Sequence, residues 1–291
     1  VTRTVMLGDV AFASPPRVDD FGNRWVLTGI DGWDDSGSGV RSSGEARPQS
    51  HGAFDSPAYR TGRSISVRGE VLCLSRASAA AAVQTLNSVG ADGQRLDVVV
   101  ADDDLPRMSS SARVADRPMI GWTVPTRVVY AQEWWAADPL RYGDTINEST
   151  SFPFAAGGLE FPLFTDGVTD TGYLEFGAQG STGRVTVTNI GTAATSPQFE
   201  VTGPTPPFSI VHVESGRRLS FAQSVAAGDR LLIDSATGLV VLNGGDVDYS
   251  GMLTRAEWSP VGPGESASFA FIPDGPFADG TLTVIFRPAW W

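Results

Sequence analysis

The stretch VAAGDRLLIDSATGLVVLNG, Val225 to Gly244, holds two apolar runs on either side of Ser235-Ala236-Thr237-Gly238, with an aspartate at each shoulder. Small, polar and glycine residues between two β-favouring runs mark a turn, so the stretch reads as a β-hairpin. Leu231 and Ile233 alternate with Leu232, whereas Leu239, Val240, Val241 and Leu242 run on almost unbroken. That second pattern belongs to strands covered on both sides or paired centrally, and it predicts that the hairpin is core scaffold. Burying each large side chain stabilises by roughly 1.5 to 3 kcal/mol, against a net domain stability of about 5 to 15 kcal/mol. Val241→Asp is therefore expected to prevent folding of residues 151–291.

Outward from the hairpin the second half is all β by pattern. GRVTVTNIG sets Val185 and Val187 opposite Thr186 and Thr188, SASFAFIP puts Ala267, Phe269 and Phe271 on one face, and TLTVIFRPAW does the same with Leu282, Val284 and Phe286. Short strands separated by Gly, Pro, Asn and Asp predict a sandwich or jelly roll.

The first half differs. SISVRGEVLCL alternates cleanly, with Ile65, Val67, Val71 and Cys73 on one face and Ser64, Ser66, Arg68 and Glu70 on the other, as in a half-buried strand. After it, SRASAAAAVQTLNSVGADG offers Ser75 or Ser78 as N-cap, Ala79, Val83 and Leu86 at helical spacing, and Gly90 as the stop, which predicts one short helix over about 76–89. RLDVVV and TRVVYAQEWW read as further strands, and DDDLPRM between them as a turn. Ahead of them, Asp31 to Gly62 is polar, rich in small residues and aperiodic; a loop of this length is usually functional or mobile. A second polar stretch, DPLRYGDTINESTS, predicts a linker.

A chain of 291 residues exceeds the usual single core, and the expectation is two domains, 1–143 and 153–291, joined by a linker over 144–152. Residues 1–150 carry 19 acids and 15 arginines and residues 151–291 carry 14 and 6, an asymmetry that supports two bodies. No apolar run approaches the ~20 residues that span a bilayer, and VTRTVMLGDVAF lacks the layout of a signal peptide. A soluble protein that is not exported by the Sec route is expected.

The residue inventory removes several chemistries. All 21 basic residues are arginine, so neither a Schiff-base lysine nor a P-loop lysine is available. A net charge of -12 disfavours tight DNA binding, which needs a basic face. One cysteine, Cys73, and two distant histidines, His51 and His212, exclude an internal disulfide and give zinc almost no ligands. There is no G-x-S-x-G elbow, and the serines of DSGSG and GAQGSTG lie in turn-like surroundings. His51 before a glycine reads as a loop histidine, and His212 as a strand residue. The run Asp102-Asp103-Asp104 does not fit a calcium loop. Trp134-Trp135 and Trp290-Trp291 each place neighbours on opposite strand faces, one toward a core and one toward a surface. No catalytic, cofactor-binding or metal-ligating residue is assigned, and no cofactor is expected.

The layout of the whole chain resembles the distal tail protein family of long-tailed, non-contractile bacteriophages. In the first half the resemblance is carried by AYRTGRSISVRGEVLCLSRASAAAAVQTLNSVG and by VYAQEWWAADPLRYGD. In the second it is carried by the order of three turns: Thr188-Asn189-Ile190-Gly191, then Ala227-Gly228-Asp229 before the hairpin, then Pro263-Gly264 before a late strand. The resemblance covers about residues 60 to 291. It implies a mainly β protein with an N-terminal α+β domain that assembles into a hexameric ring and a C-terminal galectin-like β-sandwich. It further implies a structural, non-enzymatic protein of the virion, made in the host cytoplasm and placed at the distal end of the tail. Its implied partners are tail tube, tape measure and tip or baseplate hub proteins, with DNA passing through the lumen unbound. On that reading Asp31 to Gly62 is an arm that contacts a neighbouring subunit. A carbohydrate-binding module of a tail or cell surface is the alternative, and a glycan-degrading tail enzyme a third; Trp258, inside the second domain, leaves sugar binding unsupported.

Overall fold

The computed structural model describes residues 2–35, 37–154, 180–275 and 279–291. They form two compact units, Val1–Asp144 with Trp290–Trp291, and Thr145–Ala289. Ser36, in one of the serine-glycine stretches, lies outside the described residues, as do the first residues of the other.

The first unit contains β1 (Arg3–Leu7), β2 (Val10–Ser14), β3 (Arg17–Val18), β4 (Arg24–Asp31), β5 (Ser38–Arg41), β6 (Glu45–Ala46), β7 (Ala53–Phe54), β8 (Tyr59–Leu72), α1 (Arg76–Ser88), β9 (Leu96–Asp102), β10 (Met108–Val114), β11 (Met119–Val124), β12 (Arg127–Ala136) and β13 (Arg141–Tyr142). Its main sheet runs β11-β12-β8-β4-β2-β1-β9-β10-β13, and an additional pairing of β10 with β12 closes it on itself. The result is a barrel of β12, β8, β4, β2, β1, β9 and β10, with β11 left outside as a free edge along β12.

The inner face of β8 keeps its period of two. Ile65, Val67, Val71 and Cys73 are buried together with Val128, Tyr130 and Trp134 of β12. Gly69 falls in the same phase, and a Cβ there would come within 2.4 Å of the Phe12 ring. That vacancy lets Phe12 stack on Tyr130 at 5.4 Å and meet Trp25 edge-on at 5.6 Å. Burial pushes the Tyr130 hydroxyl well above its ordinary range. α1 is started by Ser75, whose side chain accepts from the Ser78 N–H while Ser78 returns the bond to the Ser75 N–H, a capping box closed by serine in place of the usual glutamate. Ala79, Ala82 and Leu86 are its buried stripe, and the helix lies against β12 and β8.

The second unit contains β14 (Ile146–Ser151), β15 (Arg184–Thr188), β16 (Gln198–Thr202), β17 (Phe208–His212), β18 (Arg218–Phe221), β19 (Arg230–Asp234), β20 (Val240–Leu242), a short 3-10 turn over Ser250–Met252, β21 (Leu253–Ala256), β22 (Ser266–Pro273) and β23 (Thr281–Phe286), while β24 (Ala289–Trp290) straddles the unit boundary. Two five-stranded sheets, β14-β23-β16-β19-β20 and β15-β22-β17-β18-β21, face each other across one core. Phe199 of β16 meets Phe269 of β22 edge-on at 5.0 Å across the gap. All the apolar faces read from the sequence point inward: Val185 and Val187, Ala267, Phe269 and Phe271, Leu282, Val284 and Phe286. On the outer face hydroxyls pair across strands, Thr186 with Ser268 at 3.0 Å and Thr188 with Ser266 at 2.8 Å.

Three expectations are corrected. Residues 144–152, read as a linker, contain β14, which pairs in register with β23 from Ile146↔Phe286 to Ser151↔Thr281. As an edge strand with little of its surface in the core, it has no need of apolar alternation. The stretch Asp31 to Gly62, read as an aperiodic loop, contains β5, β6, β7 and the start of β8. These pieces are exposed on most sides, so backbone pairing holds them with almost no apolar signal. In the opening hairpin, β20 is an edge and not a central strand. Val240 is buried, but Val241 and Leu242 are only half-buried and Leu239 is exposed. The hairpin does belong to the core, through Leu231, Ile233 and Val240, but Val241 is not the residue that seats it.

Candidate functional site: assembly surfaces

The side chains that sequence reading weighed for chemistry are dispersed. His51 sits at the exposed turn between β6 and β7. Ser38 is buried beside Arg60, whose guanidinium donates to its hydroxyl at 3.3 Å. The Ser181 hydroxyl donates to the Ser151 carbonyl at 3.0 Å and accepts from the Gly183 N–H. Cys73 is buried, and burial pushes its thiol up, away from reactivity. The acidic run is a tie: Asp102 takes the Arg3 guanidinium at 2.8 Å, which holds its carboxyl low, and Asp103 takes the Thr2 N–H at 2.6 Å. Among the described residues no three His, Cys, Asp or Glu side chains converge to hold a metal ion.

One arrangement looks catalytic and is not. His212 Nδ1 lies 2.7 Å from Ser215 Oγ, and its Nε2 lies 3.7 Å from a Glu214 oxygen. A hydrolytic triad needs the serine on Nε2 and the acid on Nδ1; here the order is reversed. All three lie at the end of β17 and in the turn that follows it. Nδ1 also accepts the Ser215 N–H at 3.2 Å, and both Glu214 oxygens accept the Ser268 N–H. Burial alone would raise the Glu214 carboxyl, but the bonds from Ser268 and the nearby His212 outweigh it and hold it low. The group locks a turn.

What the first unit does present is a set of surfaces. At the base of the arm, Arg63 is fully buried. Its Nε donates to the Pro139 carbonyl at 2.8 Å and its Nη1 to the Gly32 carbonyl at 2.7 Å, with longer bonds to those of Trp33 and Asp35. Gly32 has φ of +76°, and a Cβ there would sit 1.9 Å from the Ser64 carbonyl oxygen, so the loop closes over the guanidinium only with glycine at this point. Arg141 donates to the same Trp33 carbonyl at 2.7 Å, lies over the Trp33 ring, and donates to the Trp291 carbonyl. Burial, then the like charges of Arg141 and Arg60, lower Arg63 to about 10. Sequence reading missed this residue although its signal was there: Arg63 is in phase with Ile65, Val67 and Val71, two residues back along the inner face.

Beyond that base the arm stands clear. From Arg41 to Thr61 nearly every residue is exposed, and β6 and β7 pair only with each other. Its aromatic residues carry arginines, Arg47 over Phe54 at 5.5 Å and Arg41 over Tyr59 at 6.0 Å. A second surface is the free edge of β11, where Met119, Trp122 and Val124 are exposed beside a groove of about 590 Å³ floored by Val129 and Ala131. A third is an apolar pocket of about 340 Å³ bounded by β2, α1 and the turn from β3 to β4. Asp19 shapes that turn: its carboxylate accepts from the N–H groups of Phe21 and Asn23, from the Asn23 amide and from Trp25 Nε1, all at 2.8 to 2.9 Å. Burial alone would raise this carboxyl; the bonds, Trp25 first, prevail and hold it below the usual range.

In the second unit two of the three turns that carried the resemblance, that of Asn189 and that of Pro263-Gly264, meet in space. Asn189, fully buried, donates its amide to the carbonyls of Ala193 at 2.8 Å and Val261 at 3.1 Å, and its side-chain oxygen accepts the Gly191 N–H at 3.0 Å and the Ala289 N–H at 3.4 Å. Its backbone oxygen accepts from Gly264 of the Pro-Gly turn at 2.9 Å. Before the hairpin, Asp229 accepts from the Asn243 amide at 2.8 Å. The buried Asn189 amide ties the strand ends around the first and third turns together, while the second turn is held by its own bond to Asn243. Residues 190–290 match the family of the siphovirus-type tail component, C-terminal domain. The tail-component match opens beside Asn189 and takes in β16 to β23. No curated protein sequence matches the chain.

Solved structures extend the likeness to the whole chain. The Dit protein (gp 19.1) of phage SPP1, described as a paradigm of the hub adsorption apparatus of phages infecting Gram-positive hosts, is 13% identical, with 98% of each chain covered and a TM-score of 0.61. A chain of the phage P2 baseplate, in its activated conformation with Ca, is 10% identical, with 99% of this chain and 97% of that chain covered and a TM-score of 0.51. The resemblance to distal tail proteins read from the sequence is upheld, and the fold is the mainly β one it implied.

Proposed function

We propose that this chain is a structural protein of the tail of a long-tailed, non-contractile bacteriophage. In this reading it is a distal tail protein: the first unit forms a hexameric ring that joins the tail tube to the tip or baseplate, and the second, a galectin-like sandwich, projects from it. The observation that carries the reading is the tail-component match over residues 190–290, supported by a likeness of fold to a phage hub protein that runs through both units. The partners are further copies of the chain, the tail tube, tape measure and tip proteins, and the place is the distal end of the virion tail after synthesis in the host cytoplasm. The protein performs no turnover. An excess of acids, 33 against 21 arginines, suits a channel through which DNA slides, because like charges repel at short range; the acids line the lumen.

The test is light scattering and negative-stain electron microscopy of the purified chain, alone and mixed with tail-tube protein. Rings with an acidic lumen are expected. A chain that stays monomeric in both states and captures a saccharide on a glycan array overturns the reading in favour of a carbohydrate-binding module.

A further inference from the structure

Three arginines crowd the base of the arm. Arg63 is fully buried, Arg141 is half-buried, and Arg60 stands at the surface on the same strand as Arg63. None of them has an ion pair among the described residues; Asp34, the carboxylate whose charge acts on Arg141, is taken by Arg3 at 2.5 Å. Arg141 and Arg60 press on Arg63 with like charge. In addition, Arg63 Nη2 and Arg141 Nε meet no acceptor, and a buried donor left unmade costs free energy. The loop that closes over these arginines therefore satisfies them only in part. What closes the gap is Trp290-Trp291, which belongs to the first unit. Trp290 packs against the core of that unit. The Trp291 carbonyl, 150 residues from Arg141 in sequence, accepts from its guanidinium, and the Trp291 ring faces the Arg60 guanidinium at 5.4 Å. Arg60 in turn donates to Ser38 of β5 at 3.3 Å, and β5 with the start of β8 makes the paired stem from which the arm extends.

We infer that Trp290-Trp291 is a strap across the arm base, and that the stem opens when the strap is withdrawn. Without it Arg141 loses a carbonyl, and Arg60 loses the negative face of an aromatic ring that offsets its charge. Three like charges are then free to separate, which parts β5 from β8 at Ser38 and Arg60. The device lies within one chain. It requires neither a second copy nor the ring reading, so either can fail without the other.

The experiment is amide hydrogen exchange read by mass spectrometry on the full chain, for wild type, Trp291→Ala, Arg60→Gln, the Arg60→Gln/Trp291→Ala pair and the Trp290→Ala/Trp291→Ala pair. Trp122→Ala is the control, because Trp122 is also a tryptophan of the first unit with 46% exposure and has no part in the arginine cluster. Trp291→Ala is expected to speed exchange in residues 38–41 and 59–64 about threefold, the scale of one exposed cation–π contact. Loss of both tryptophans of the strap is expected to speed it tenfold or more, while β1 and β9 of the same barrel keep their wild-type rates. The Arg60→Gln/Trp291→Ala pair should exchange no faster than Arg60→Gln alone, since both substitutions remove one contact. Stem rates that stay at the wild-type value when both tryptophans are gone overturn the strap. So does an equal acceleration in β1 and β9, which would mean a general loss of stability, or a Trp122→Ala control that loosens the stem as much as Trp291→Ala.

Discussion

β8 in the barrel and β20 in the sandwich both read as core from their side chains, and the structure treats them differently. On β8 the phase of the alternation decides everything, so that even a charged residue, Arg63, is drawn fully inside because it falls on the inner face. On β20 the amount of apolar sequence misleads: four apolar residues in a row yield one buried side chain, Val240, because the strand ends its sheet. Phase reports which way a side chain points, which is a local property of extended backbone. Burial depends on what lies above and beside the strand, which is not local. Barrel and sandwich share the lesson.

Substitutions on the two strands separate phase from composition, and the largest effect is expected at Val240. Val240→Asp places an unpaired charge in the sandwich core, a loss of several kcal/mol on the scale of the whole domain's stability; urea titration of the full chain should find the second unit unfolded. Val241→Asp, one residue on and half-buried at an edge, should cost about 1 kcal/mol. Equal effects at the two positions would break the comparison.

Arg63→Met tests the other strand. The methionine keeps an apolar stem but strands the carbonyls of Pro139 and Gly32, each left unmade at about 1 to 3 kcal/mol. A loss of about 3 kcal/mol is expected from the thermal melt, concentrated in the first unit. A variant as stable as wild type would mean that Arg63 is carried inside by phase alone and holds nothing.

A smaller loss than that at Arg63 is expected in the turn that shapes the pocket. Asp19→Asn puts an amide where a carboxylate collects four donors, with an expected loss of about 2 kcal/mol. Because the folded carboxyl sits below its unfolded value, its stabilisation is complete above about pH 4 and is lost as the pH falls through the folded value. Stability against pH in the acid range should be flatter in the variant; curves of equal slope would remove Asp19 from the account.

Much of this was legible beforehand. The inward faces of β15, β22 and β23, the capping serines of α1 and the burial of Cys73 follow from periodicity and cap chemistry, both written within a few residues. The candidate surfaces were harder. The arm was visible only as a stretch without pattern, since exposed hairpins need no apolar phase. The pocket was invisible, because β2, the turn from β3 to β4, and α1 are separated in sequence and only folding brings them together.

By itself the sequence determined the β-rich character, the facing of nearly every strand, the helix and its start, and a chemistry without lysine or an internal disulfide. The tertiary structure alone decided which strands are edges, that β10 returns to β12 to close a barrel, and that Arg63 meets carbonyls about 30 and 76 residues away. The physical reason is range. Dihedral preference, side-chain alternation and capping act between near neighbours along the chain, whereas closure, burial and the partnering of a hidden charge depend on contacts between residues distant in sequence.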